Sequence, residues 1–171
     1  DSSPATYSDS DQTLTSDSDW HPMVVFLDKL TIGNGNTIAT LTTSGTFTSA
    51  AITLPTGWKV KSLSIVGDFV AIGAWRGANI EDHEDAMLFF WDGTASTYNS
   101  FVELKESGIN SLLNVQNTLY VWAGVKGNLY VYTGSSLTKV KRIAAVTDAK
   151  FVDVFPGAVA NWHGVPYFGF G

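Results

Sequence analysis

Glu81, Asp82, His83, Glu84 and Asp85 put four carboxylates and one imidazole in an unbroken row, the densest set of chemically capable side chains in the sequence. Carboxylates held so close repel one another, and a divalent cation with oxygen and imidazole ligands would relieve that repulsion. In an extended segment successive side chains point to opposite faces, so Glu81, His83 and Asp85 are the three that can converge. They are the candidate metal ligands; the alternative for the same residues is a solvated acidic loop. Trp75, Arg76 and His83 are the candidate ligand-binding residues. They border or lie in the segment Arg76 to Asp85, which interrupts an otherwise regular series of short apolar runs, and insertions in repeats form loops on one face, often the binding face.

Other chemistry finds less support. Glycoside hydrolysis needs two carboxylates flanking the scissile bond, and Asp68, Asp92 and Asp153 are the residues to consider. Asp68 and Asp92 each adjoin a glycine, where aspartate also serves as a turn residue. A serine nucleophile would sit in Gly-x-Ser-x-Gly, which is absent. Asp9, Asp11, Asp17 and Asp19 offer hard oxygen ligands, yet the Asp-x-Asp-x-Asp-Gly loop with its downstream Glu is missing, and residues 1–20 read as a polar linker or arm. The chain is therefore expected to be no enzyme, with no catalytic residue and no cofactor. Trp58, Trp75, Trp91, Trp122 and Trp162 fall at strand ends or beside turns, where a ring can fill a core or stack on a sugar or a protein partner.

The net charge of -6 opposes the phosphate neutralisation on which nucleic-acid binding depends. Lys139, Lys141 and Arg142 form the only basic cluster. With no Cys the chain has no disulfide, thiol catalysis or thiolate zinc site. No apolar run approaches the ~20 residues of a membrane-spanning helix. The expected partners are other protein subunits, copies of the chain itself included, or a glycan, with no nucleic acid and no membrane span.

The elements that must carry these residues are strands. Ile109 to Val115, Leu119 to Ala123, Asn128 to Tyr132 and Val140 to Ile143 are short apolar runs separated by polar and glycine-containing turns, the pattern of one four-stranded antiparallel sheet. Upstream, Met23 to Leu27, Leu30 to Gly33, Thr37 to Thr42 and Ala51 to Leu54 repeat the plan, with Asp28-Lys29 as the first turn. Val60 to Val66, Phe69 to Trp75, Met87 to Trp91 and Phe101 to Leu104 repeat it again. Phe151 onward gives a partial copy that resumes at Val165 after His163-Gly164. Leu30, Phe69, Leu119 and Val165 each open a second strand after a turn, at separations of 39, 50 and 46 residues. Glycine recurs in IGNG at Ile32, FWDG at Phe90 and VYTG at Val131, where a turn needs positive φ.

A period of 40 to 50 residues with four strands per unit is the signature of propeller blades. FFWDG, Phe89 to Gly93, resembles the Trp-Asp that ends the third strand of WD40 repeats, although no Gly-His pair opens the units and Trp-Asp occurs once. Kelch repeats are similar in strand plan but carry a double glycine absent here. Through LTIGNG, FFWDGTAS, LYVWAGVKGNLYVYTG and VPYFGFG the chain also resembles the divergent propellers of phage and other virion structural proteins. The fold class expected is all-β: antiparallel four-stranded blade repeats over residues 21–171, a partial β-propeller of about three and a half blades (21–57, 58–108, 109–150 and 151–171), with a β-sandwich as the alternative. The resemblance implies a structural or adhesive subunit in a virion or extracellular setting, acting through protein-protein contacts, with a carbohydrate-binding or glycosidase-like propeller as the alternative. An incomplete set of blades would expose two apolar end faces, and Thr13 to Thr15 would supply a strand if the N-terminal arm completed the last blade.

Overall fold

A computed structural model of the chain describes residues 13–15, 20–77, 85–124, 127–142 and 154–170. Fourteen strands make up the described regular structure. The first sheet comprises β1 (Met23–Phe26), β2 (Lys29–Asn34), β3 (Thr37–Thr42) and β4 (Phe47–Thr53). The second comprises β5 (Trp58–Val66), β6 (Phe69–Arg76), β7 (Asp85–Trp91) and β8 (Ser100–Leu104). The third comprises β9 (Ile109–Val115), β10 (Thr118–Ala123), β11 (Asn128–Tyr132) and β12 (Leu137–Arg142). In the fourth, β13 (Val154–Trp162) pairs with β14 (Val165–Phe170). Every pairing is antiparallel between sequence neighbours. The fold is thus all-β, with four-stranded antiparallel sheets in series that do not close on one another, the geometry of a partial propeller or a sandwich.

The first strands hold the series together. β1 touches β5, β5 touches β9, and β9 touches β13, as innermost strands of neighbouring blades would. Among the described residues two hydrophobic clusters lie between the sheets. Ile38 and Ile52 of the first sheet meet Val70, Ile72, Phe89 and Trp91 of the second. On the far side of the second sheet, Ala71, Leu88 and Phe90 meet Leu112, Leu119 and Val121 of the third. Alternate residues of β6 and β7 thus enter opposite cores, which is why VAIGAW and AMLFFW are continuously apolar rather than alternating. Gly73 admits the close approach of β9: a Cβ there would stand 2.2 Å from Ser62 Oγ and 2.5 Å from Ile109 Cγ2.

Turn chemistry moves some expected boundaries. Phe26 pairs with Lys29, so Leu27 and Asp28, with φ of 48° and 56°, form the first turn in place of Asp28-Lys29. Both central residues of that tight hairpin must take positive φ for its twist to match the strands, and register overrides the preference for Asn-Gly. β4 starts at Phe47 rather than Ala51, ahead of a register shift opposite Ile38 and Thr40. The recurring glycines are not all equivalent: Gly93 and Gly134 follow the third strands of their sheets, whereas Gly35 lies between β2 and β3 and the matching residue of the first sheet is Gly45. All four have positive φ. Thr13 to Thr15 form no strand, and Thr15 N donates to Asn34 Oδ1 at 2.7 Å, in the first sheet rather than the last.

Candidate functional site

The expected ligand-binding residues separate at the described ends of β6 and β7. Trp75 is half-buried with Lys59 Nζ 5.6 Å from its ring centre. Arg76 pairs through Nη2 with Asp85 and lies 5.5 Å above the Trp58 ring. β6 and β7 run antiparallel with Arg76 opposite Asp85, so this ion pair closes the base of the loop. Glu81, Asp82, His83 and Glu84 lie outside the described residues, as do Asp9, Asp11, Asp17, Asp19 and Asp153. Asp85, the one described member of the metal set, is engaged by Arg76. Among the described residues no three His, Asp or Glu side chains gather as metal ligands. His21 Nδ1 lies 3.0 Å from the Gly33 carbonyl, and the His163 ring meets Trp162 edge-on at 4.8 Å.

Asp92 is the organising residue of a turn. Its Oδ1 accepts from Thr94 N at 2.8 Å, Thr94 Oγ1 at 2.9 Å and Ala95 N at 2.8 Å, and its Oδ2 accepts from Asn99 Nδ2 at 2.8 Å. The Ala95 N–H above all, then the Thr94 N–H and the side chains of Asn99 and Thr94, hold its carboxyl well below the usual carboxylate range. The Trp91 indole N–H donates to the Ala95 carbonyl at 2.8 Å, closing the same loop. A carboxylate so satisfied is a poor general base. The Trp-Asp pair here clamps the connection between β7 and β8.

Glu106 gathers a second polar cluster that the sequence did not single out. Its Oε1 accepts from Asn128 Nδ2 at 2.8 Å and from the Tyr130 hydroxyl, and Lys139 Nζ lies 3.8 Å away. Burial, then the hydrogen bond and negative charge of Glu106, push the Tyr130 phenol well above its ordinary range. Gly124 makes room for the carboxylate, since a Cβ there would meet Glu106 Oε2 at 2.3 Å and φ is +73°. These contacts tie the loop after β8 to the third sheet.

The tryptophans divide by position. Trp58, Trp91 and Trp122 are buried, whereas Trp162 is 66% exposed. Trp162 belongs to an apolar patch on the outer face of the fourth sheet with Val165 and Tyr167, both more than half exposed. The inner face of that sheet presents Phe168, which stacks 5.1 Å from Trp122. At the other end, Met23 and Val25 are exposed on the face of β1 opposite Val24 and Phe26, which pack on the first core. Cross-strand register aligns Val25 with Leu30, Leu41 and Phe47, and those three are half-buried. Alternation along β1 and β14 was the available sequence signal, but only the core assignment tells which face is outward.

A crevice of about 380 Å³ opens between the second and third sheets, where the turns β5-β6, β9-β10 and β11-β12 meet. Phe69, Phe90 and Tyr132 form its apolar wall, while Asp68, Ser100 and Asn117 add polar groups. The Phe90 and Tyr132 rings lie 4.8 Å apart at 31°. None of these six was marked as a ligand contact by sequence, and Asp68 was weighed only as a catalytic acid or a turn residue; they come from four strands and two turns.

Among the described residues no helix is long and apolar enough to cross a membrane. No family model matches the chain, and no curated protein matches it. Among solved structures the chain is similar to one described as the crystal structure of a protein of unknown function from Bacteroides caccae at 1.35 Å resolution, with a TM-score of 0.54 and 8% identity. The likeness covers 85% of this chain and 50% of that one, so the chain spans about half the length of this relative. At that identity the likeness is one of fold alone.

Proposed function

We propose that this chain is a non-enzymatic structural or adhesive protein of the β-propeller kind, a subunit or part of a virion or extracellular assembly that works through protein-protein contacts. The observation that carries the reading is the pair of apolar end faces: Met23 and Val25 on the first sheet, Trp162, Val165 and Tyr167 on the fourth. Contiguous exposed apolar surface is characteristic of interaction sites. The two faces differ in composition, so copies joined through them meet head to tail, in a contact that closes into a ring or runs on as a filament. The virion setting rests on the sequence resemblance.

The test is the mass of the chain in solution by light scattering at micromolar concentration. A multiple of the monomer mass is expected, returning to the monomer on Val25→Glu at one end or Tyr167→Glu at the other. A wild-type monomer throughout that range would overturn self-assembly through these faces.

A further inference from the structure

We infer that the crevice between the second and third sheets binds a single neutral sugar ring. Its volume, about 380 Å³, stands near the small end of the roughly 300–1,000 Å³ common for ligand pockets. That is room for one ring and its substituents rather than an extended chain.

The chemistry of the walls selects the ligand. Phe69 is 37% exposed at the rim, and Phe90 stacks on Tyr132 behind it. The Tyr132 hydroxyl donates to the Gly134 carbonyl at 2.8 Å, which fixes that ring. A pyranose presents a patch of C–H groups on one face, which packs on an aromatic ring and its slightly negative π-cloud. Its hydroxyls then need donors and acceptors at the edge. Gly67 N donates to Asn117 Oδ1 at 2.9 Å, which orients that amide and leaves its Nδ2 without a bond among the described residues. The Asp68 carboxylate and the Ser100 hydroxyl likewise make none. A carboxylate and an amide N–H lining one crevice can accept from and donate to the hydroxyls of one sugar ring, a match that a fully apolar ligand would waste.

Charge excludes the nearest alternatives. Among the described residues no Lys or Arg lines the crevice, and Asp68 together with a net charge of -6 repels phosphorylated and carboxylated ligands. A quaternary ammonium would favour the aromatic rings and the carboxylate, but it would leave the Asn117 amide and Ser100 hydroxyl unused. The site lies between the second and third sheets, away from both end faces, so it stands independently of the assembly reading.

Saturation-transfer NMR on the full chain tests this, using the methyl glycosides of glucose, galactose, mannose and N-acetylglucosamine, with choline and inorganic phosphate as competing probes. Transfer to at least one glycoside is expected, with a Kd on the order of 1 mM. Phe69→Ala and Asp68→Asn are each expected to weaken it by about tenfold or more, with thermal melts confirming that the variants fold. Asp68 is an exposed turn residue, so its variant carries the test if Phe69→Ala unfolds. No transfer to any glycoside at about 10 mM, binding unchanged in both variants, or preferential binding of choline or phosphate would each overturn the proposal.

Discussion

Asp92 and Tyr130 are two side chains whose surroundings move their ionisation in opposite functional senses, and each has a measurable consequence. The Asp92 carboxyl is held below its ordinary value of 3.8 by hydrogen bonds that exist only in the folded loop. A depressed folded pKa stabilises the protein above the unfolded value, and that contribution is lost as pH falls through the folded one. Wild type is therefore expected to melt at higher temperature than Asp92→Asn at neutral pH, with the gap narrowing progressively once pH falls below about 4. Thermal melts across that range check it. For Tyr130 the shift is upward from 10.0, so the neutral phenol is favoured and its contribution is lost only in alkali. Absorbance titration of the phenols should show one late step in wild type that is absent from Tyr130→Phe. Removing the shared acceptor is the harsher change: Glu106→Ala leaves Asn128 and Tyr130 donors unanswered and is expected to cost about 2 kcal/mol by denaturant unfolding.

The second sheet carries the packing argument at the level of elements, because its two faces enter both of the hydrophobic clusters formed by the described residues. Phe89 is fully buried and touches Trp58, Tyr98 and Phe101 at ring separations of 5.9, 4.8 and 6.3 Å. Phe101, in the same cluster, is 53% exposed. Phe89→Ala is expected to cost about 3–5 kcal/mol, and Phe101→Ala under about half of that; chemical denaturation separates the two. Gly73→Ala adds a methyl where Ser62 and Ile109 leave no space, and is expected to destabilise by about 1–3 kcal/mol although alanine is otherwise the better strand residue. By contrast the Arg76-Asp85 pair is substantially exposed, and Arg76→Ala should shift stability by less than about 1 kcal/mol.

For the whole molecule the decisive quantities are the end faces and the charge. Copies carrying a net charge of -6 repel each other, while the apolar patches that would join them are insensitive to that charge at contact. Raising ionic strength shortens the screening length from about 30 Å at 0.01 M to about 8 Å at 0.15 M, so self-association is expected to strengthen with salt over that interval. Sedimentation velocity at two salt concentrations reads the change. An assembly held by ion pairs would weaken instead.

Strand periodicity, glycine turns and the repeat spacing were enough to reach an all-β fold of four-stranded antiparallel sheets, because those signals are local: a two-residue alternation or a turn glycine acts within a few residues of itself. VAIGAW and AMLFFW are continuously apolar, but that their sheet is buried on both faces was shown by the two cores it packs against. Local signals could not say that Leu27-Asp28 rather than Asp28-Lys29 makes the first turn, since register is fixed by pairing across β1 and β2. Nor could they tell that FWDG and IGNG sit at different turns. The functional geography was less legible still. The acidic row at 81–85 stood out by composition, whereas the Glu106 cluster and the crevice at Phe69, Phe90 and Tyr132 bring together residues tens of positions apart. Such neighbours meet only once sheets stack, and it is the stacking, set by the total apolar area each face can bury, that decided them.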